Sequence, residues 1–174
     1  MIEINSPGEN QVYDAHLPLA FRKEADPMQS FPHLYRVSAE SGVAGIVDVS
    51  SPQLPSLETM APPEFGGDPG YWSPETLLVA AVADCLILSF RAVARASRLE
   101  WHSLHCDVDG KLERSGGLTL FSHFDLRARL EIRHPDDRDK ARLCLEKAKQ
   151  ACLITNSLKA ETSLHQEIDV VESA

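Results

Sequence analysis

The sequence predicts an α+β domain, with helices lying against one face of an antiparallel sheet. Three observations carry that prediction. Residues 77–88 are apolar except for Asp84 and read as a helix. Residues 104–113 and 118–133 alternate apolar and polar side chains with period two. A second helical pattern and a last alternating stretch follow, so the order is strands, helix, strands, helix, strand. With 174 residues, 43% of them hydrophobic and 25% charged, the chain has the size and composition of one soluble domain. Its net charge of −9 speaks against nucleic acid or an anionic membrane as partner. No basic stretch followed by an apolar run opens the sequence, so a cytoplasmic protein is expected.

Residues 1–32 are punctuated by Pro7, Gly8, Pro18 and Pro27 and read as an extension, with one short strand near 17–21. The domain is expected at 33–174. Stretches 34–39 and 43–49, separated by Glu40-Ser41-Gly42, look like a hairpin. From 51 to 71 five prolines and Gly66-Gly67 mark a connection with no obvious element, long enough to be functional. Ser73 is a good helix N-cap, Pro74 suits the first helical position, and Glu75 places a carboxylate at the positive end of the dipole. The helix should run to about Ala96. Its apolar run is too short to span a bilayer and goes nearly all the way round, which predicts a buried helix.

The two alternating stretches after it, joined by Ser115-Gly116-Gly117, predict an antiparallel pair with one buried face. Leu104, Cys106, Val108 and Leu112 would point inward, opposite Leu118, Leu120, Phe124, Leu126, Ala128, Leu130 and Ile132. Pro135-Asp136-Asp137 opens a second helix whose core face holds Ala141, Cys144, Leu145, Ala148, Ala151 and Cys152. Residues 154–157 break that pattern and suit a short helix, and 164–170 read as a last strand.

Four cysteines without a CxxC suggest thiols, metal ligands or redox groups rather than structural disulfides. Cys85 and Cys152 fall in helices that the pattern sends to the core, where a thiol either fills space or reacts. Cys106 and Cys144 are expected to fill space. Glu75 could be a dipole partner or an acceptor that positions an arginine or a hydroperoxide near a thiol. No metal site is expected, because His105 and Cys106 point to opposite faces of a strand.

Two motifs bear a resemblance. Pro63-Glu64-Phe65-Gly66-Gly67 with Ser73-Pro74-Glu75, Leu77-Leu78, Ala80-Ala81 and Cys85 is similar to the signature of the OsmC/Ohr superfamily, the osmotically induced and organic hydroperoxide resistance proteins. Residues 151–158, Ala-Cys-Leu-Ile-Thr-Asn-Ser-Leu, are similar to its second cysteine motif. The resemblance implies an OsmC-like fold, antiparallel sheets around two central helices in an intertwined homodimer. It also implies a peroxidase without cofactor that reduces small organic hydroperoxides. Cys85 would attack the peroxide and become a sulfenic acid, and Cys152 would condense with it to a disulfide. A dithiol, such as a lipoylated protein, would reduce that disulfide. Glu75 would assist, and Phe65, Phe90 and Arg36 would bind the substrate. A redox sensor or a ligand-binding member of the same fold is the alternative implied. Three positions depart from the pattern: 39–43 lacks the activating arginine, Leu153 stands where proline is usual, and Asp84 sits beside the first cysteine.

Overall fold

The computed structural model describes residues 30–171, and the short strand expected near 17–21 lies outside them. The chain divides into two compact units, Met1–Arg36 and Val37–Ala174. In the first, the rings of Phe31 and His33 stack with centroids 4.6 Å apart. The second is α+β and carries everything that follows.

Its chain opens with a small antiparallel sheet of β1 (Ser38–Ser41), β2 (Val47–Ser50) and β3 (Leu57–Thr59). The expected hairpin is there, but its strands start later because 42–46 form the turn. β3 went unread among the prolines, since three residues are too few to show a period. The Met60 N–H donates to the Trp72 carbonyl (2.9 Å) and so fastens β3 to the entrance of the next helix.

That helix, α1, runs Pro74–Ala96 with Ser73 as its N-cap. Ser73 and Thr76 cap reciprocally: the Ser73 N–H donates to the Thr76 hydroxyl (2.8 Å), and the Thr76 N–H to the Ser73 hydroxyl (3.2 Å). Expectation and structure differ on burial. Only the stripe Val82, Leu86, Phe90 and Ala94 is fully buried, and Leu88 on the far side is 50% exposed. The sheet and the two helices that follow cover part of α1, and the side that holds Leu88 has no cover among the described residues. At 23 residues α1 is also longer than its apolar run, and by length and composition alone it could cross a membrane.

β4 (Trp101–Ser115) and β5 (Leu118–Ile132) pair antiparallel through a two-residue turn, with Gly116 and Gly117 both at positive φ. Inward Leu104, Cys106 and Val108 face Leu130, Ala128 and Leu126. On the wet face Arg127 reaches the Asp109 carboxylate across the ladder (2.7 Å). Ser122 is one residue too many for the register, a bulge that sets Leu112 opposite Phe121. Everything beyond it changes face. Leu118 and Leu120, expected inside, are therefore exposed, and Phe121 takes their place.

α2 (Arg138–Ala151) follows a single 3-10 turn at Pro135–Asp137, and α3 (Leu153–Asn156) follows α2 after Cys152. Ala141, Cys144, Leu145 and Ala148 are buried as the spacing requires, whereas Ala151 is exposed at the helix end. β6 (Glu161–Val170) then returns beside β5, parallel to it. Alternation alone does not distinguish a parallel from an antiparallel neighbour.

Gly110 on β4 faces α1, and a Cβ there would come within 2.8 Å of both Val79 Cγ2 and Phe121 Cε1. Gly110→Ala should therefore cost about 1–3 kcal/mol as these side chains are displaced. A thermal unfolding midpoint unchanged by the substitution would show that the strand yields instead.

Candidate functional site

The fold brings together two thiols that are 67 residues apart in sequence (152 − 85). Cys85 lies on the flank of α1, half-buried, and Cys152 is buried at the break between α2 and α3. The Cys152 backbone is extended (φ −67°, ψ 110°), which ends one helix and starts the next. The two sulfurs are hydrogen-bond neighbours. Burial pushes the Cys85 thiol up, but hydrogen bonds from the Cys152 thiol, the Ile154 N–H, the Ser89 hydroxyl and the Leu153 N–H outweigh it and hold the thiol below its ordinary value. Cys152 moves the other way: burial raises it, and its hydrogen bond to Cys85 raises it further, against an opposing pull from Thr155. The pair is thus asymmetric. Of the two, the Cys85 thiol gives up its proton the more readily.

Leu153 contributes through its backbone. A proline at this position has no N–H and could give the Cys85 sulfur nothing, so the departure from the motif adds a donor. Sequence reading passed over Ser89, although i+4 from Cys85 on a helix is the spacing at which two side chains meet. The amides of Leu153 and Ile154 carry no side-chain signal at all. Asp84 is exposed, water screens its charge, and it is not among the groups that move the Cys85 thiol.

Cys85 opens into a cleft of about 570 Å³. Leu88, Ala92, Val93, Ala151 and Leu153 give it apolar walls, and Asp84 and Ser89 are its polar members. The other two cysteines are placed differently. Cys144 is buried on α2, and Cys106 is held by burial and by the Asp107 charge, which push its thiol up to about 11.

Glu75, Phe65 and Phe90, also expected from sequence, do not join the thiols within this chain. Glu75 and Phe65 line a second cleft of about 560 Å³, with Pro62, Val79, Leu112 and Phe121. Ten residues along a helix (85 − 75) separate Glu75 from Cys85 by about 15 Å, so its carboxylate cannot touch that sulfur from the same chain. One oxygen of Glu75 is buried without a hydrogen-bond partner. Phe90 is wholly buried in the core, its ring edge-on to Trp101 with centroids 5.2 Å apart, and lines neither cleft. The spacing that points Phe90 to the sheet also turns it away from the Cys85 cleft. Arg36 belongs to the unit Met1–Arg36, outside the unit that holds both clefts.

The direction of the Cys85 shift has a readout. Alkylation by iodoacetamide should reach half its maximal rate below pH ~8.5, the ordinary thiol value. Leu153→Pro, which a helix start tolerates, removes one donor and should move that midpoint to higher pH. An unmoved midpoint would mean that this amide does not act on the sulfur.

The family described as OsmC-like protein matches residues 66–167, more than half of the chain. A curated relative, the uncharacterized protein YmaD of Bacillus subtilis, is 25% identical over 113 residues, covering 63% of this chain and 75% of its own. Among solved structures, an OsmC-like protein of unknown function from Vibrio cholerae is similar with a TM-score of 0.70 at 18% identity, over 79% of this chain and 99% of that one. An organic hydroperoxide resistance protein OsmC from Legionella pneumophila is similar with a TM-score of 0.62 at 20% identity, over 80% of this chain and 99% of that one. At these identities the structural likeness concerns the fold.

Proposed function

The chain belongs to the OsmC-like protein family, and from that premise we propose that it is a thiol-dependent peroxidase that reduces small organic hydroperoxides to alcohols. One observation carries the reading: Cys85, held below its ordinary pKa by four donors, lies in an open apolar cleft with Cys152 as its hydrogen-bond neighbour. The Cys85 thiolate attacks the terminal oxygen of the hydroperoxide and the O–O bond breaks. The alkoxide leaves, takes a proton from water, and Cys85 becomes a sulfenic acid. The Cys152 sulfur then attacks the Cys85 sulfur; its proton and the departing hydroxide form water, and a disulfide results. A dithiol, free or lipoylated, returns the electrons and restores both thiols. The apolar walls favour an alkyl or aryl hydroperoxide over hydrogen peroxide. Such a cycle belongs in a reducing compartment, the cytoplasm.

The working form is a homodimer. Among the described residues the outer side of α1 and the small β1–β3 sheet lack cover, and Val43 and Leu88 stand open to solvent. A second copy supplies the cover in interfaces that are large and apolar.

Four free cysteines make the test simple. One equivalent of cumene hydroperoxide should remove two thiols per chain, and a peptide map should show them joined as Cys85–Cys152. Excess dihydrolipoamide should then sustain turnover. Oxidation without turnover would make the protein a redox sensor, and no loss of thiols would end the reading.

A further inference from the structure

The cleft beside Cys85 has a direction. Along α1 it runs from Ala81 and Asp84, before the thiol, to Ala92 and Val93, two turns beyond it. Its first end carries the exposed Asp84 carboxylate, and its far end is apolar. Ser89 stands between, half-buried, four residues after Cys85 (89 − 85). Side chains on a helix tilt toward its N-terminus, so the Ser89 hydroxyl leans back over the thiol, and its partner there is the Cys85 sulfur. Among the described residues that line the cleft, Ser89 is the one whose side chain carries an O–H.

A hydroperoxide entering this cleft has one favourable orientation. Its organic group avoids the Asp84 charge and lies along Ala92 and Val93, with the terminal oxygen on the Cys85 sulfur. The inner oxygen, bonded to that organic group, then lies over Ser89. In the transition state charge leaves the sulfur and gathers on this inner oxygen. A sulfur that has formed its S–O bond is a poor acceptor, whereas an alkoxide is a strong one. The Ser89 hydroxyl can follow the charge by rotation about a single bond. The amides of Leu153 and Ile154 are fixed in the backbone, and the Asp84 carboxylate only accepts.

We propose that Ser89 is a further catalytic residue, whose hydroxyl passes from the Cys85 sulfur to the departing oxygen of an alkyl or aryl hydroperoxide and stabilises the alkoxide as the O–O bond breaks. The proposal rests on the peroxidase reading and adds to it the group that handles the leaving oxygen. The thiolate's electron pair forms the S–O bond, and the O–O pair goes to the leaving oxygen. Ser89 gives its proton to that oxygen and takes one from water in the open cleft. The products are therefore an alcohol, a Cys85 sulfenic acid and a hydroxide ion released to water. Substrates with a poor leaving group gain most from such a donor.

The test varies the leaving group while the nucleophile stays the same. The first oxidation of Cys85 is timed with cumene hydroperoxide, whose alkoxide needs a donor, and with perbenzoic acid, whose carboxylate leaves without one. Each rate is divided by the thiolate fraction that iodoacetamide alkylation against pH gives for the same variant, which removes any change in the acidity of the thiol. On that footing Ser89→Ala should slow cumene hydroperoxide about 100-fold and perbenzoic acid less than about 5-fold. Ser89→Thr keeps the hydroxyl and should recover most of the loss. Equal slowing with both peroxides would overturn the proposal, since Ser89 would then act on the sulfur alone. So would an unchanged rate with cumene hydroperoxide, or a loss that Ser89→Thr does not recover. A wild-type Cys85 that iodoacetamide alkylates but neither peroxide oxidises would remove the peroxidase reading itself, and this role with it.

Discussion

Cys85→Ser is expected to abolish consumption of cumene hydroperoxide, since a serine hydroxyl at neutral pH supplies no comparable nucleophile and no other thiol takes over. Cys106 is protonated, its thiol pushed up to about 11, and Cys144 is buried in the core. Cys152 has its thiol raised, so it does not replace the attacker either. Cys152→Ser should behave differently. Cys85 still reacts once and leaves a sulfenic acid that dimedone traps, but turnover with dihydrolipoamide should fall at least ~100-fold for want of a resolving thiol. Its first-turnover rate should also drop, because Cys152 is the strongest of the donors that lower the Cys85 thiol. Full activity in Cys85→Ser, or first oxidation at Cys106, would overturn the assignment.

Phe90→Ala should have the largest effect on stability. The side chain is wholly buried between α1 and the sheet, edge-on to Trp101 at an interplanar angle of 80°. Removing it costs about 3–5 kcal/mol, much of the margin of an ordinary domain, so the variant should unfold at far lower urea or not accumulate folded at all. Phe90→Leu keeps most of the volume. It should lower the midpoint modestly and leave the Michaelis constant for hydroperoxide unchanged. A raised Michaelis constant at unaltered stability would return Phe90 to the substrate site.

The contrast between Phe90 and Cys85 shows what was legible beforehand. Helix α1, its Ser73 cap, the long hairpin and the core face of α2 all follow from local patterns, and each stands where the residues put it. The meeting of Cys85 with Cys152 has no local signature; it came from motif resemblance, and only the packing of α1 on α2 and α3 brings the two sulfurs together. The amides of Leu153 and Ile154 were invisible because backbone donors leave no mark in residue type. The Ser122 bulge was missed for a related reason. One inserted residue keeps the alternation on either side intact while exchanging the faces. Glu75, Phe65 and Cys85 share a motif yet line two clefts, since closeness along a helix of 23 residues is not closeness in space.

The parallel pairing of β6 with β5 sets an order of assembly. α1 and the β4–β5 hairpin are joined by short connections, so their contacts close early in folding. Strand β6 meets β5 in a ladder that starts with His123 opposite Glu161, and this pairing waits until the whole crossover through α2 and α3 has been laid down. Cys152 sits in that crossover. On a growing chain the first thiol is therefore synthesised and packed well before its companion arrives. The two thiols meet only when α2 and α3 dock on α1, so a chain halted before that crossover holds one member of the pair alone.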